Sequence, residues 1–305
     1  MIDKLEFLLA LARERHFGRA AEACNVTQPT LSAGLKQLEG TLGVLLVTRG
    51  ARFQALTPEG ERVLDWANRI VGDARVMRQE VRALKQGRLV GHLRIAAIPT
   101  ALAMVSALTT PYRARHPDIR FTIRSATSIE VLTALDNLEI DAGISYLDNE
   151  PIGRMRAIPL YREQYRLLIA ADSPFGSRTE VTWAEVGRIP LCLLTPDMQN
   201  RRIINRLLCD AGLLEPAPTL ESNSVIVLFS HVRTGQWASV MPAILAETLG
   251  LGGAVRAIPI VQPAVTHTIG LLVPNRDPMT PATAALVAEA QRLTPLLDTE
   301  LAAGR

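Results

Sequence analysis

Thr27-Gln28-Pro29-Thr30-Leu31-Ser32-Ala33-Gly34-Leu35-Lys36-Gln37-Leu38-Glu39 reads as one amphipathic helix with a short, polar outer face. Thr27 is a good N-cap, because its hydroxyl can accept from an unpaired amide of the first turn. Pro29 sits just inside the start, where its missing N–H costs nothing. Leu31, Leu35, Leu38 and Leu42 recur at helical spacing and are expected to face a core. The other face carries Gln28, Thr30, Ser32, Ala33 and Lys36, short hydrogen-bonding groups plus one cation. Gln pairs with adenine edges, Ser and Thr with most bases, and Lys with phosphate. The pattern therefore suits a helix lying in the major groove of DNA. It also suits an ordinary helix with a solvated polar face.

The preceding residues favour the first reading. Leu5, Leu8, Leu9 and Ala12 space a helix ending near Glu14, and His16-Phe17-Gly18 makes a turn. Arg19 to Cys24 form a short helix, and Asn25-Val26 connect it tightly to Thr27. Small residues at 20, 21 and 23 let two helices cross closely, as a helix-turn-helix requires. The run Phe17 through Leu46 resembles the N-terminal domain of the LysR-type bacterial transcriptional regulators. The features in common are Phe17-x-Arg19-Ala20-Ala21, Gln28-Pro29-Thr30-Leu31-Ser32, Leu38-Glu39 and Leu42-Gly43-Val44-x-Leu46. Many family members carry a basic or longer polar residue where Ala33 and Gly34 stand. The resemblance implies a winged helix-turn-helix over residues 1–58, with Thr27, Gln28, Pro29, Thr30, Ser32, Ala33 and Lys36 on double-stranded operator DNA.

Val47 to Leu56 read as two short strands around a turn at Gly50, with Arg49 and Arg52 placed to reach phosphates or the minor groove. Thr57-Pro58-Glu59 starts another helix: N-cap, proline at the first position, acid at the positive end of the dipole. Val63, Ala67, Ile70, Ala74, Met77, Val81 and Leu84 then follow at heptad spacing. A helix of roughly 30 residues with no core of its own needs a partner. Residues 59–88 are accordingly expected to be a dimerisation helix; a long helix packed on its own domain is the alternative.

The 305 residues exceed one typical domain, and 48% hydrophobic content without an apolar run near 18 residues gives no candidate membrane span. Met1-Ile2-Asp3-Lys4 leads straight into an amphipathic helix without a signal-peptide pattern, so a cytoplasmic location is expected. Lys and Arg outnumber Asp and Glu by 14 to 10 in residues 1–88, against 19 to 20 in the rest, within a net charge of +3. A basic head on a neutral body fits contact with a polyanion at one end. Cys24, Cys192 and Cys209 make no disulfide framework, and their spacing and neighbours do not match the cysteine pair of the family's peroxide sensors.

From Gly91 the pattern becomes alternating β and α. Strands are expected at His92–Ile98, Ile119–Arg124, Ile140–Ile144, Tyr165–Ala170, Leu191–Leu194, Ala238–Met241 and Thr268–Val273. Helices are expected to open at Pro99, to run Ile129–Leu138 and Asn200–Ala211, and to close the chain from Thr280 to Leu301. Such alternation implies an α/β class with parallel sheets and helices on both faces. Two blocks, the second inserted in the first, give a bilobed domain over 89–305: lobe I at 89–163 and 267–305, lobe II at 164–266. The order is similar to the LysR-type effector domain, itself similar to periplasmic solute-binding proteins.

In doubly wound sheets, ligands collect at the carboxyl ends of strands. Pro99-Thr100-Ala101 and Thr127-Ser128 occupy two such ends, and these positions match where the family binds its inducers. Capping of their own helices is the alternative role. Thr195, Asn200, Arg201 and Ser224 are the weaker candidates from lobe II; an arginine there, Arg201 or Arg202, would complete a carboxylate site, and solvation of both is the alternative. There is no Gly-x-Ser-x-Gly elbow, no phosphate loop and no His/Cys cluster at metal spacing, so no enzyme, cofactor or metal is expected. The leading reading is a homo-oligomeric regulator, a dimer or a dimer of dimers, that changes its quaternary arrangement when a small anionic effector binds. RNA polymerase is a further partner if it activates. The competing class is a small-molecule-binding or catalytic α/β protein whose head does something else. The chain also resembles a branch of the family associated with formate dehydrogenase genes, which implies formate or another small carboxylate.

Overall fold

The structure, a computed structural model, describes residues 1–48, 55–213 and 217–303. It divides into two compact units: residues 1–91 with 134–139 and 276–282, and the remaining residues from 92 onward.

The first unit opens with α1 (Ile2–Glu14), α2 (Phe17–Ala23) and α3 (Gln28–Leu42). The sequence reading put Phe17 and Gly18 in a turn; they belong to α2 because His16 caps it, Nδ1 accepting from the Gly18 and Arg19 amides at 3.1 and 3.3 Å. Thr27 caps α3 as expected, accepting from the Thr30 amide at 3.4 Å. Leu31, Leu35 and Leu38 are buried together with Leu5, Leu8, Leu11, Ala20 and Ala21. Leu42 is not, being 43% exposed. Gly43 ends the helix in the left-handed region (φ 73°), and the chain returns so that Leu46 and Val47 close the core instead. Gly34 allows α3 to lie against α1, since a Cβ there would stand 2.7 Å from the Phe7 ring. Glu39 is buried, and its Oε1 accepts from the Leu46 and Val47 amides at 2.9 and 3.3 Å, fixing the chain where it leaves the helix.

Val47 and Leu56 form an antiparallel bridge, and the Thr48 amide donates to the Ala55 carbonyl at 3.0 Å. Arg49 and Arg52, expected at the tip between them, lie outside the described residues. Helix α4 (Pro58–Gln86) is capped by Thr57, which accepts from Gly60 N at 2.9 Å and donates to the Leu45 carbonyl at 2.6 Å. The expected heptad seam splits in two. Ala67 and Ala74 are buried and Val63 is half-buried within the chain, whereas Ile70, Met77, Val81 and Leu84 are exposed, the last by 84%. Ala67 and Val71 belong to the head core, so one flank of the seam is already used there. Trp66, 61% exposed, joins the free stripe one turn before Ile70.

In the second unit, β1 (Gly91–Ala97) leads through a 3-10 turn (Pro99–Met104) into α5 (Val105–Arg115). There follow β2 (Ile119–Ser125), α6 (Ser128–Asp136), β3 (Ala142–Tyr146) and the long β4 (Met155–Ala170). Next come β5 (Val181–Thr182), α7 (Trp183–Val186), β6 (Cys192–Leu194), α8 (Gln199–Asp210) and β7 (Leu220–Ser222). The chain continues through α9 (Val225–Val232), β8 (Ser239–Pro242), α10 (Ala243–Thr248), β9 (Val255–Val261), β10 (Thr266–Pro274) and α11 (Pro281–Ala303). The main sheet runs β2-β1-β3-β10-β4-β9-β5, with β8 also on β4, and β6 pairs with β7 apart from it.

The sheet is mixed, not parallel as the alternation implied. β1 with β3 and β5 with β9 are parallel, but β10 is antiparallel to β3 and β4, and β4 is antiparallel to β8 and β9. The expected division between residues 163 and 164 falls inside β4, so the two lobes share that strand. The β4 register explains this: its first half pairs with β10 only, and its second half with β8 and β9.

Glu39→Ala is expected to destabilise the first unit, because it leaves the Leu46 and Val47 amides buried without an acceptor, at about 1–3 kcal/mol per orphaned group. Urea unfolding followed by circular dichroism measures this. Glu39→Gln keeps an acceptor and is expected to lose less; an Ala variant as stable as the parent would show that Glu39 does not brace the chain.

Candidate functional site

On α3, Gln28, Pro29, Thr30, Ala33 and Lys36 are exposed and Ser32 is half-buried, so the polar face lies open to solvent. The Thr27 and Thr30 hydroxyls lie 2.8 Å apart and engage each other. Gly34 does not belong to this face: a side chain there would run into Phe7.

The second site grows from the strand ends. The Ala126 amide donates to the Ala97 carbonyl at 3.0 Å, and the Ile98 amide to the Ile144 carbonyl at 3.1 Å. The segments leaving β1, β2 and β3 thus emerge side by side, bringing together Pro99-Thr100-Ala101, Thr127-Ser128 and Tyr146. Thr127 is the capping residue of α6: its Oγ1 accepts from Glu130 N at 3.2 Å, while Glu130 Oε2 accepts from Thr127 N at 2.8 Å. That commitment leaves Ser128 as the hydroxyl turned to other partners. Thr100 is 2% exposed, and its Oγ1 has no hydrogen-bond partner.

Lobe II meets these groups through α8. Ser128 Oγ donates to Glu150 Oε2 at 3.1 Å, and Arg202 donates to Glu150 Oε1 through Nε at 2.9 Å and Nη2 at 2.5 Å. Arg202 Nη2 also reaches Ser128 Oγ at 3.3 Å. Arg201 serves elsewhere: it is 3% exposed and bound to Glu221, Asn205 and the Leu194 carbonyl. Asn200 is brought to the strand ends, Nδ2 donating to the Tyr146 hydroxyl at 3.1 Å. Thr195 Oγ1 is buried without a partner. Ser224 makes local contacts at the start of α9, its amide donating to Ser222 Oγ at 3.1 Å.

Tyr146 connects this site to a buried polar cluster where β3, β10 and β4 meet. Its hydroxyl donates to Glu163 Oε1 at 2.5 Å and lies 3.4 Å from the Tyr165 hydroxyl. Burial pushes the Glu163 carboxyl up to about 8, the tyrosine hydroxyls opposing that shift and Asp148 adding to it. Glu163 is therefore protonated at neutral pH. His267, opposite Glu163 in the β10–β4 register, is pushed down by burial against the pull of Asp148 and stays neutral. Its Nδ1 lies 2.9 Å from Asn149 Nδ2. Sequence reasoning passed over Glu150, Tyr146 and Glu163, and left open whether Arg201 or Arg202 faces the cleft. The signal for Glu163 was a lone acid inside the apolar alternation of β4; Glu150 carried none.

Burial raises the pKa of two of the thiols, Cys24 and Cys192. Cys192 is buried, donates to the Leu228 and Ala238 carbonyls at 3.6 and 3.5 Å, and is pushed up to about 11 by burial. Burial also raises Cys24, while Cys209 is exposed. Among the described residues no group of three His, Cys, Asp or Glu is placed to hold a metal ion, and no helix is long and apolar enough to cross a membrane.

Residues 2–61 match the bacterial regulatory helix-turn-helix of the lysR family, and residues 86–294 match the LysR substrate binding domain. The chain is 29% identical over 280 residues to the DNA-binding transcriptional dual regulator OxyR of Escherichia coli, covering 91% of this chain and 90% of that one. It is 26% identical to the hydrogen peroxide-inducible genes activator of Haemophilus influenzae, over 91% of this chain and 92% of that one. Among solved structures, a full-length OxyR variant from Pseudomonas aeruginosa superposes with a TM-score of 0.74 at 27% identity, covering 96% of this chain and 99% of that one. CbnR complexed with its target DNA shares the fold at a TM-score of 0.61 and 21% identity, over 96% and 99%.

The raised Glu163 carboxyl has a consequence for stability. Unfolded, this group loses its proton near its ordinary value of 4.5; folded, it keeps the proton up to about 8. The unfolded state then binds fewer protons across that window, so this group makes stability fall as pH rises from 4.5 to 8. Glu163→Gln keeps the acceptor for Tyr146 and removes the titration. Thermal melts from pH 5 to 9 are expected to show the variant gaining on the parent as pH rises; a constant difference would mean that Glu163 ionises normally.

Proposed function

The chain belongs to the lysR family of bacterial regulatory proteins and is a DNA-binding transcriptional regulator with an effector-binding domain; from that premise we propose that its effector is a small carboxylate. The carboxylate binds between the strand ends of lobe I and helix α8 of lobe II. Formate is one candidate of that class. The observation that carries the reading is the convergence of Ser128 and Arg202, from opposite lobes, on a single carboxylate at 3.1 and 2.5 Å. A guanidinium presenting two N–H groups beside a hydroxyl matches the geometry of a planar carboxylate. Thr100, Thr127, Asn200 and Tyr146 complete the surroundings.

Cys192 does not suit the signal for which the hydrogen peroxide-inducible relatives are named. A peroxide-sensing thiol needs a lowered pKa and access, whereas Cys192 is buried with a raised one.

Gln28 reads base edges from the exposed face of α3, with Thr30, Ser32, Ala33 and Lys36 beside it, and Arg49 and Arg52 contact DNA phosphates. Two copies pair along α4 through Trp66, Ile70, Met77, Val81 and Leu84, whose exposure leaves an apolar stripe at near-heptad spacing. Dimers of dimers follow the same logic, with effector binding biasing one quaternary arrangement over another. The regulator works in the cytoplasm, and RNA polymerase is the partner where it activates.

Three measurements test these assignments. Gln28→Ala is expected to cost about 1–3 kcal/mol on the cognate operator and little on random duplex; equal losses on both would leave Gln28 a positioning residue. Val81→Asp is expected to dissociate the dimer in sedimentation, because it sets a charge in an apolar seam. Unchanged mass would move the seam elsewhere. Thr100→Val removes an unpartnered donor worth about 1.5–3 kcal/mol to a charged ligand. Calorimetric titration with formate and acetate should register that loss, and unaltered affinity would place the effector outside this cleft.

A further inference from the structure

Arg202 is fixed at its base within lobe II. Its Nη1 donates to the Asp197 carbonyl at 2.6 Å and to the Pro196 carbonyl at 3.3 Å. That leaves Nε and Nη2, the edge suited to a planar anion, directed at Glu150. Glu150 stands on the loop after β3. The base of that loop is tied down: Asp148 Oδ2 accepts from the Thr268 amide at 3.0 Å, and the Asp148 carbonyl accepts from Gln199 Nε2 at 3.2 Å. Glu150 itself is held by its side chain, with 31% of it still exposed, and Arg202 is 35% exposed.

We propose that Glu150 is a resident anion of the effector cleft: its carboxylate occupies the place of the effector's, and an incoming carboxylate binds by displacing it from Ser128 and Arg202. This rests on the carboxylate reading above. It adds a specificity rule to that reading. The ligand must offer a carboxylate able to take both N–H groups of Arg202 and the Ser128 hydroxyl at once, because a neutral amide cannot replace the charge it expels. The same exchange sets the threshold of response. The effector gains only the difference between its own contacts and those of Glu150, so affinity is lowered and the cleft stays shut to weak or neutral ligands. Displacement also releases Glu150, which joins the loop after β3 to α8. The relation between lobe I and lobe II thereby changes with occupancy, which is the differential contact a regulated equilibrium requires.

The test uses the full chain and acetate as probe, with acetamide as neutral control, followed by ligand-observed NMR and calorimetry. Glu150→Gln keeps the shape of the side chain and removes its charge. It is expected to bind acetate at least tenfold more tightly than the parent and to ignore acetamide. Arg202→Gln in the Glu150→Gln background is expected to abolish that gain. Hydrogen exchange gives a second readout: amides of residues 148–150 and 152 should exchange faster in Glu150→Gln, and acetate should not change them further. Equal acetate affinity in parent and Glu150→Gln, with Ser128→Val weaker than both, would overturn the displacement while leaving the carboxylate site in place. No acetate binding by Glu150→Gln, with its melting temperature unchanged, would overturn both.

Discussion

β4 and β10 pair antiparallel from Thr266 opposite Gln164 to Pro274 opposite Met155, with one irregularity between Ile269 and Gly270. The irregularity falls where Gly270 is needed: a Cβ there would stand 2.7 Å from the Ile158 carbonyl oxygen and 2.5 Å from the Leu147 side chain. Everything in the effector-binding part depends on this ladder. β3 and β1 extend it on one side to build lobe I, and the far half of β4 carries β8 and β9 for lobe II. β4 is the strand common to the two lobes, and its pairing keeps each lobe's strand ends in register.

Where the ladder crosses between lobes it carries a polar cluster at odds with its apolar surroundings. Glu163, His267, Tyr146 and Tyr165 are all buried there. Glu163 Oε2, His267 Nε2 and the Tyr161 hydroxyl lack partners, a cost that apolar residues would have avoided. Keeping Glu163 protonated removes the larger cost of a buried charge. The cluster connects through Tyr146 and Asn200 to the proposed effector site, so the groups that join the lobes and those proposed to meet the ligand form one hydrogen-bonded chain. Glu150 and Arg202 form a second, more exposed connection, the one proposed to open when a carboxylate binds.

The head was the most legible part of the sequence because its signals are local. The Thr27 cap, Pro29, and the Leu31, Leu35 and Leu38 stripe are decided within a few residues of each other. Leu42 shows the limit, since its fate depends on the left-handed turn at Gly43 and on Leu46 returning to the core. The α4 heptads were legible as a pattern but not as a partition: Ala67 and Ala74 turned inward, which only the head's tertiary packing decides. In the effector-binding part the alternation of strands and helices was visible, but strand direction was not. Nothing local in Tyr165 to Ala170 shows that the strand had begun at Met155 and would pair antiparallel. Thr100 and Ser128 were singled out because strand ends precede them. Glu150 was missed, and the choice between Arg201 and Arg202 stayed open, because an ion pair 52 residues apart leaves no periodic trace.

The central claim, that a carboxylate joins the two lobes at Arg202, is tested most directly by following the Arg202 Nε–H resonance of the full chain, assigned by Arg202→Lys, during titration with ¹³C-formate and ¹³C-acetate. The account predicts that this resonance shifts with the same saturation curve as the binding heat, and that it shows a through-space contact to the labelled carboxyl carbon. A saturating curve in calorimetry with the Arg202 signal unmoved would contradict it.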